Sequence, residues 1–306
     1  MQAKYDERSI DLFASGHKAC AGCGPALTIQ AILRATGANV FIANATGCME
    51  VISTQYPQSA WKVPWIHSLF ENAAAVASGI EIALKALNRS EEGKVVVIAG
   101  DGGTVDIGMQ AISGMLERGH DICYICYDNE AYMNTGNQRS GSTPLDASTT
   151  TSPFGKRSFG NDRPKKNMPA IAAAHEIPYV ATSSVGYPRD LAKKVQKGVS
   201  VSGPAYLQIL APCNIGWGFD SAKTIEIARL AVETGLWMMY EIVDGELTNV
   251  MKVRNQQPVE DYLKLQKRFA HLFKMPGGGA QIKLIQEYAN ENLKRYTQKE
   301  AGEIKP

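Results

Sequence analysis

The sequence lacks the long hydrophobic run that a membrane span requires. No apolar stretch of the 306 residues approaches the roughly 20 that cross a bilayer as a helix. Residues 1–8 are polar and do not resemble a secretory signal. These absences predict a soluble, cytoplasmic protein with no membrane partner.

Net charge is also scarce. Lys and Arg total 32 against 30 Asp and Glu, which leaves a formal charge of +2. Nucleic-acid-binding proteins usually carry a strong basic excess, so the balance argues against a nucleic-acid partner. The charge is unevenly spread, because residues 251–306 hold 11 Lys and Arg but only six Asp and Glu. A composition with 44% hydrophobic and 20% charged residues is that of an ordinary globular protein.

Disulfides are not expected in a reducing compartment, so the six cysteines need another explanation. Cys123 and Cys126 lie in an apolar, aromatic run that predicts a buried strand, and residues three apart on a strand point to opposite faces. We therefore interpret these two as core residues rather than ligands of one metal.

The other four cysteines all lie where the chain is predicted to turn. They are Cys20, Cys23, Cys48 and Cys213. Four thiolates suit either structural zinc or an iron–sulfur cluster. Because the last two cysteines are 165 residues apart, the spacing favours a cluster over two compact zinc knuckles. On this evidence alone, four unrelated cysteines remain an alternative.

Strand and helix patterns alternate along most of the chain, and no internal repeat is present. Strands are predicted at 39–43, 94–99, 121–127, 179–182 and 205–210, and helices at 25–35, 71–87, 106–118, 169–175, 189–197, 224–234, 259–272 and 281–296. Continuous apolar strands separated by helices predict an α/β fold, a mostly parallel sheet with helices on both faces.

Two segments depart from this alternation. Residues 129–168 form a polar stretch of 40 residues, either a solvated loop or a loop ordered by a ligand or partner subunit. The C-terminal part is helical and basic. We predict one cofactor-binding domain over 1–245 and a helical basic extension over 246–306.

The strongest functional signal is a glycine-rich turn between a strand and a helix. Gly100, Asp101, Gly102, Gly103 and Thr104 follow the strand at 94–99. Such a turn presents backbone N–H groups to a phosphate, and its carboxylate can hold a divalent cation. The next strand ends at Asn129, and adjacent parallel strands bring their carboxyl ends to one edge, so Asp101 and Asn129 should face one point.

A dinucleotide fingerprint of the GxGxxG type is missing after the first strand, which argues against a nicotinamide cofactor. Gly100-Asp101-Gly102, followed 28 residues later by Asn129, instead resembles the thiamine diphosphate–Mg²⁺ motif. Longer stretches resemble the β subunit of pyruvate:ferredoxin oxidoreductase, in order from about residue 12 to about residue 245. They are 16–24, 65–67, 70–73, 127–136, 138–141, 143–144, 178–182 and 211–213.

This resemblance implies a thiamine diphosphate-binding fold and the oxidative decarboxylation of a 2-oxoacid, with pyruvate expected. CoA accepts the acyl group, CO₂ leaves, and electrons pass through a 4Fe–4S cluster to ferredoxin. The implied partners are the α subunit and the γ and δ subunits of the same complex. The resemblance places the glutamate that activates thiamine on the α subunit, so this chain alone is expected to be inactive.

The resemblance also implies roles for individual residues. Cys20, Cys23, Cys48 and Cys213 correspond to the ligands of one 4Fe–4S cluster, and Asp101, Asn129 and the carbonyl of Ala131 to those of Mg²⁺. Gly47 and Cys48 border the cofactor, and Gly100, Gly102, Gly103 and Thr104 correspond to the diphosphate cradle. Asn134 corresponds to the polar group beside the reacting centre.

Two departures from the family pattern and two alternatives accompany this interpretation. Pro25 stands where some relatives carry a glutamate, so no such role is assigned there, and Cys213 is followed by Asn214 where relatives usually have Pro-Thr. The substrate is alternatively 2-oxoisovalerate, 2-oxoglutarate or oxalate. The second alternative is a non-redox thiamine-dependent decarboxylase with structural zinc.

Overall fold

A computed structural model describes residues 12–300, with side chains up to residue 297. Within that range the chain forms ten strands. They are β1 (Val40–Ala45), β2 (Trp65–Ser68), β3 (Lys94–Gly100), β4 (Ile122–Asp128), β5 (Phe154–Gly155), β6 (Ser158–Phe159), β7 (Tyr179–Ser184), β8 (Ala205–Leu210), β9 (Glu241–Val243) and β10 (Glu246–Thr248).

Eight of these strands form one sheet in the order β10-β9-β7-β8-β4-β3-β1-β2. The six strands from β7 to β2 are mutually parallel, and β9 and β10 extend one edge antiparallel. The central strands are buried on both faces, which is why they are continuous apolar runs rather than alternating ones. The predicted α/β fold is confirmed.

Helices cover both faces of the sheet. They are α1 (Gly24–Thr36), α2 (Cys48–Ser53), α3 (Ala73–Ala86), α4 (Met109–Glu117), α5 (Met168–Ala173), α6 (Pro188–Ser200), α7 (Asn214–Trp217), α8 (Thr224–Glu233), α9 (Val259–Lys264) and α10 (Gly278–Glu300). Residues of α1 and α6 fill the core on one face, and residues of α3 and α4 fill it on the other. Among residues 12–300, no helix is long and apolar enough to cross a bilayer.

Cys123 and Cys126 belong to strand β4 and are fully buried. Cys123 packs in the core on the α1 and α6 face, and Cys126 in the core on the α3 and α4 face. The prediction that they point to opposite faces of the sheet is confirmed.

The polar segment 129–168 is folded onto itself around the buried side chain of Asn161. The side-chain nitrogen (Nδ2) of Asn161 donates to the carbonyls of Thr143 (2.9 Å), Pro144 (3.2 Å) and Arg163 (2.7 Å). Hydrogen bonds within the chain therefore order the middle of this segment. The segment is not simply a solvated loop.

The C-terminal part joins the same molecule through a shared core. Phe269, Ile285 and Ala289 pack in one cluster with Trp217 and Ile227.

The helix predicted over 259–272 is wrong in its second half, where α9 ends at Lys264 and Lys267–Phe273 is a 3-10 helix. The helix breaks at Gln266, whose backbone is extended and whose side-chain nitrogen donates to the carbonyl of Tyr262 at 2.7 Å.

Candidate active site

A cleft opens at the carboxyl ends of β1, β3 and β4, where ligands of parallel α/β sheets usually bind. Its free space, including the part that is open to solvent, is about 290 Å³. Its lining consists of Thr46, Gly47, Cys48, Phe70, Gly100, Asp101, Gly102, Tyr127, Asn129, Ala131, Tyr132, Met133 and Asn134. The cleft therefore brings together eight of the predicted site residues from three separate strand ends.

The glycine-rich turn continues β3 directly into a π-helix over Gly102–Asp106. Such π-helical turns are rare and are frequent at functional sites. Glycine is required at position 102, because an added Cβ would lie 2.4 Å from the ring of Tyr132, whose hydroxyl donates to the Gly102 carbonyl at 3.1 Å. Gly103 and Thr104 belong to the same turn but do not line the cleft. The Thr104 hydroxyl donates to the Gly100 carbonyl at 2.7 Å.

Three oxygen-bearing groups converge in the cleft around the side-chain amide of Asn129. This amide lies 2.8 Å from Oδ1 of Asp101 and 2.8 Å from the carbonyl oxygen of Ala131, and with its nitrogen facing them it donates to both. With the amide turned over, its oxygen would lie at the same distances. Neighbouring ligands of an octahedral Mg²⁺ stand about 2.9 Å apart, since each lies about 2.1 Å from the ion. The spacing of the three predicted Mg²⁺ ligands therefore fits a cation.

Asp101 is buried at the start of the π-helix. Burial, together with the nearby carboxylate of Asp128, raises the pKa of Asp101 well above its ordinary value, although Ser140 donates to its Oδ2. A bound cation would reverse this shift, because a divalent charge favours the ionised form.

The four turn cysteines come together beside this cleft. Cys48 lines the cleft at the start of α2, and its thiol is close enough to interact electrostatically with Asp101 and with the other three cysteine thiols. Burial raises the pKa of Cys23 and of Cys48 to about 12, and it also raises the pKa of Cys213. These thiols are protonated without a metal, and iron binding would release their protons.

Backbone contacts hold the loop of Cys20 and Cys23 against the segment of Cys213. The Gly24 amide donates to the Pro212 carbonyl at 3.2 Å, and the Thr224 hydroxyl donates to the Gly22 carbonyl at 2.6 Å. On the other side, the Gly216 amide donates to Sγ of Cys213 at 3.3 Å. N–H groups aimed at sulfur are one of the means by which proteins tune iron–sulfur clusters, so the donor set and its surroundings fit a cluster.

Within residues 12–300, no three His, Cys, Asp or Glu side chains meet at a position that could hold one metal ion. A single zinc ion requires its sulfur ligands about 2.3 Å from one point. The four thiols are therefore neighbours around a shared space rather than a compact set for one ion.

Comparisons with known proteins agree with this geometry. The thiamine pyrophosphate enzyme family, C-terminal TPP binding domain, matches residues 45–209. The chain is 61% identical to pyruvate synthase subunit PorB of Methanosarcina barkeri over 282 residues, which is 92% of this chain and 95% of that protein. The chain belongs to the β subunit family of the 2-oxoacid:ferredoxin oxidoreductases.

Two further comparisons show lower identity. Ketoisovalerate oxidoreductase subunit VorB of Pyrococcus abyssi is 46% identical over 92% of this chain and 91% of its own. A solved structure, the 2-oxoglutarate:ferredoxin oxidoreductase from Magnetococcus marinus, has a TM-score of 0.57 at 22% identity and covers 71% of this chain and 78% of its own. At that identity the solved structure supports the fold alone, and it agrees with the predicted thiamine diphosphate-binding fold.

The family match contains Cys48 and the predicted Mg²⁺ ligands, but Cys20, Cys23 and Cys213 lie outside residues 45–209. Sequence reasoning on this family member missed Thr46, Phe70, Tyr127, Tyr132 and Met133 of the cleft. Tyr127, Tyr132 and Met133 lie within residues 127–136, one of the stretches that resemble the family. Their position in this stretch is the signal that could have identified them.

Sequence reasoning also missed a buried charge network behind the cleft. Nζ of Lys165 lies 2.8 Å from Asp128 and 2.9 Å from Glu130, and Nη2 of Arg268 lies 2.7 Å from the other oxygen of Glu130. Burial alone would raise the pKa of Glu130, but Lys165 and Arg268 lower it below its ordinary value. Burial would lower the pKa of Lys165, and the two carboxylates raise it instead.

Proposed function

We propose that this chain is the thiamine-binding β subunit of a pyruvate:ferredoxin oxidoreductase. Pyruvate and CoA give acetyl-CoA and CO₂, and the two electrons released reduce ferredoxin one at a time. The observation that carries the proposal is the meeting of the Asp101 carboxylate, the Asn129 side-chain amide and the Ala131 carbonyl with Cys48 in one cleft. The 61% identity to a pyruvate synthase subunit supports pyruvate as the substrate.

Each part of the cleft has a task in this proposal. Asp101, Asn129 and the Ala131 carbonyl would hold Mg²⁺, and the turn of Gly100, Gly102, Gly103 and Thr104 would hold the diphosphate. When bound, thiamine diphosphate supplies the carbanion chemistry and the 4Fe–4S cluster accepts single electrons. Gly47 and Cys48 bring the cluster loop to the edge of the cofactor site.

Asn134 is the residue of this chain proposed to touch the substrate. It lies exposed on the lining of the cleft, where its amide can donate to the carboxylate of a 2-oxoacid. We propose that the α subunit closes the open side and supplies the glutamate that activates thiamine, and that γ and δ subunits complete a cytoplasmic complex.

The test is anaerobic purification of the complex from its native source. We expect a brown protein with about four iron and four sulfide per cluster site of this chain, one thiamine diphosphate, and CoA-dependent reduction of ferredoxin by pyruvate. A colourless β subunit that contains zinc and no iron would overturn the cluster and support a non-redox thiamine-dependent decarboxylase.

A second candidate substrate is 2-oxoisovalerate, because the VorB relative is 46% identical over nearly the same length. Assays with pyruvate, 2-oxoisovalerate, 2-oxoglutarate and oxalate at equal concentration separate these possibilities by kcat/KM. We expect pyruvate to rank first, and a higher value for another acid would reassign the substrate without changing the cofactors.

A further inference from the structure

The strand end that supplies two of the proposed Mg²⁺ ligands is held by residues far away in the sequence. Glu130 lies between Asn129 and Ala131 and adopts a left-handed backbone conformation (φ 66°), which is uncommon outside glycine. The Thr143 hydroxyl donates to the Glu130 carbonyl at 2.7 Å, and Lys165 and Arg268 contact the buried Glu130 carboxylate. Contacts from elsewhere therefore maintain the backbone that aims both ligands.

Arg268, in the C-terminal part of the chain, makes several contacts around this strand end. Its side chain is buried, its Nη2 lies 2.7 Å from Glu130, and its guanidinium carbon lies over the Trp217 ring at 3.7 Å from the centroid. Its Nε donates to the side chain of Gln266 at 2.9 Å, and Nη2 donates to the hydroxyl of Tyr262 at 3.2 Å. The guanidinium is thus fixed on several sides.

Trp217 connects Arg268 to both proposed metal sites. Its indole N–H donates to the Asn129 carbonyl at 2.7 Å, so it touches the backbone of a proposed Mg²⁺ ligand. It is also the last residue of α7, a helix that begins directly after Cys213, and its amide donates to the Cys213 carbonyl at 2.9 Å. One short helix therefore links a proposed cluster ligand to a proposed Mg²⁺ ligand.

We propose that Arg268 is a positioning residue that holds the Asn129–Ala131 segment and α7 in register, and so fixes the Mg²⁺–diphosphate site relative to the cluster. The inference rests on the proposed function for the identity of the two sites. Charge supports it, because Lys165 faces two buried carboxylates, Asp128 and Glu130, and Arg268 supplies a second cation to Glu130. Arginine suits the position because its planar group can stack on Trp217 while it pairs with Glu130.

The test uses the assembled complex, purified anaerobically and stripped of Mg²⁺ and thiamine diphosphate with a chelator. Calorimetric titration with Mg²⁺ and thiamine diphosphate together gives the affinity, and thermal unfolding gives the melting temperature of each variant. We expect R268M to weaken the affinity at least about tenfold, and R268K, which keeps the charge but loses the stacking, to weaken it less.

Two control variants separate positioning from stability. I285A removes a buried side chain of α10 in the same C-terminal core, so it should lower the melting temperature while the Mg²⁺–thiamine diphosphate affinity stays unchanged. K274M removes an exposed charge from the same region and should change neither quantity. An R268M complex with wild-type affinity, or an I285A complex with the same loss of affinity as R268M, would overturn the proposal.

If the R268M complex does not assemble, W217F tests the connection that runs from Arg268 through Trp217 to Asn129. This variant keeps an aromatic ring under Arg268 but loses the donor to the Asn129 carbonyl. We expect a loss of affinity of about threefold and an altered electron paramagnetic resonance spectrum of the reduced cluster. Wild-type values for both would overturn the proposal. A wild-type complex that binds no thiamine diphosphate would instead refute the proposed function, and the positioning role with it.

Discussion

At the residue scale, the cleft groups three oxygen-bearing ligands of the kind that Mg²⁺ prefers. The side-chain amide of Asn129 lies 2.8 Å from Asp101 Oδ1 and 2.8 Å from the Ala131 carbonyl oxygen. Without a cation the amide nitrogen can donate to both oxygens, and with a cation bound the amide turned over would present its oxygen beside them. Asp101 alone among the three contributes a full negative charge.

The first prediction concerns that charge. D101N keeps the size of the side chain and removes one negative charge from the Mg²⁺ site, so the affinity for Mg²⁺ with thiamine diphosphate should fall at least about a hundredfold. Calorimetric titration of the chelator-stripped complex measures it. D162N removes an exposed carboxylate and serves as the control, and an equal affinity of D101N and D162N complexes would contradict the assignment.

A second residue-scale prediction concerns Asp146, a buried residue of the polar segment 129–168. Burial raises the pKa of Asp146 to about 6, and no donor among the described residues reaches its Oδ2. Because its folded pKa exceeds the ordinary value, folding favours the protonated form, and this stabilisation is lost as the pH rises from about 4 to about 6. D146N keeps a residue tolerant of the left-handed backbone at this position (φ 61°).

We expect D146N to raise the free energy of unfolding by about 1 kcal/mol at pH 7, with the gain disappearing near pH 4. Chemical denaturation at both pH values measures it, and D162N should show no such difference. A gain for D146N that is the same at pH 4 and pH 7 would show that ionisation is not its cause.

At the element scale, the parallel strands were predictable because burial on both faces leaves an uninterrupted apolar run. The strand Lys94–Gly100 is such a run, and its carboxyl end could be placed beside that of the next strand along the chain. The strand Trp65–Ser68 was not predictable, because it is four residues long and half of it is exposed. Asp101 and Asn129 follow predictable strand ends, whereas Arg268 meets Glu130 only through tertiary packing that no local spacing encodes.

The third prediction concerns the loop between Cys20 and Cys23. Gly22 has φ 72°, and a Cβ there would lie 2.2 Å from the Ser221 carbonyl oxygen. G22A should therefore push the loop away from Ser221 and disturb the position of Cys20 and Cys23, and iron per complex should fall by more than half. G79A, on an exposed face of α3 with open space around it, should keep its iron and gain about 0.5–1 kcal/mol in stability. Full iron and sulfide in G22A would refute the role of this contact in cluster assembly.

At the scale of the whole molecule, exposed apolar side chains stand on the elements that build the site. Ile66, Leu69, Ile107 and Ile215 are 47%, 60%, 50% and 68% exposed. Leu69 precedes Phe70 of the cleft, Ile107 follows the π-helix, and Ile215 lies in α7 beside the Cys213 loop. Exposed apolar residues around a functional cleft are typical of a surface that another chain covers.

The last prediction follows from that open side. This chain carries the proposed cluster and Mg²⁺ ligands, while the glutamate that activates thiamine is expected from the α subunit. Purified alone and reconstituted with iron, sulfide, Mg²⁺ and thiamine diphosphate, it should hold its cofactors yet turn over pyruvate at least about a thousandfold more slowly than the complex. Adding the separately purified partner subunits should restore activity in proportion to complex formed, measured by dye reduction and size-exclusion chromatography together. Turnover by the lone chain at the rate of the complex would mean that the cleft is a whole active site rather than half of one.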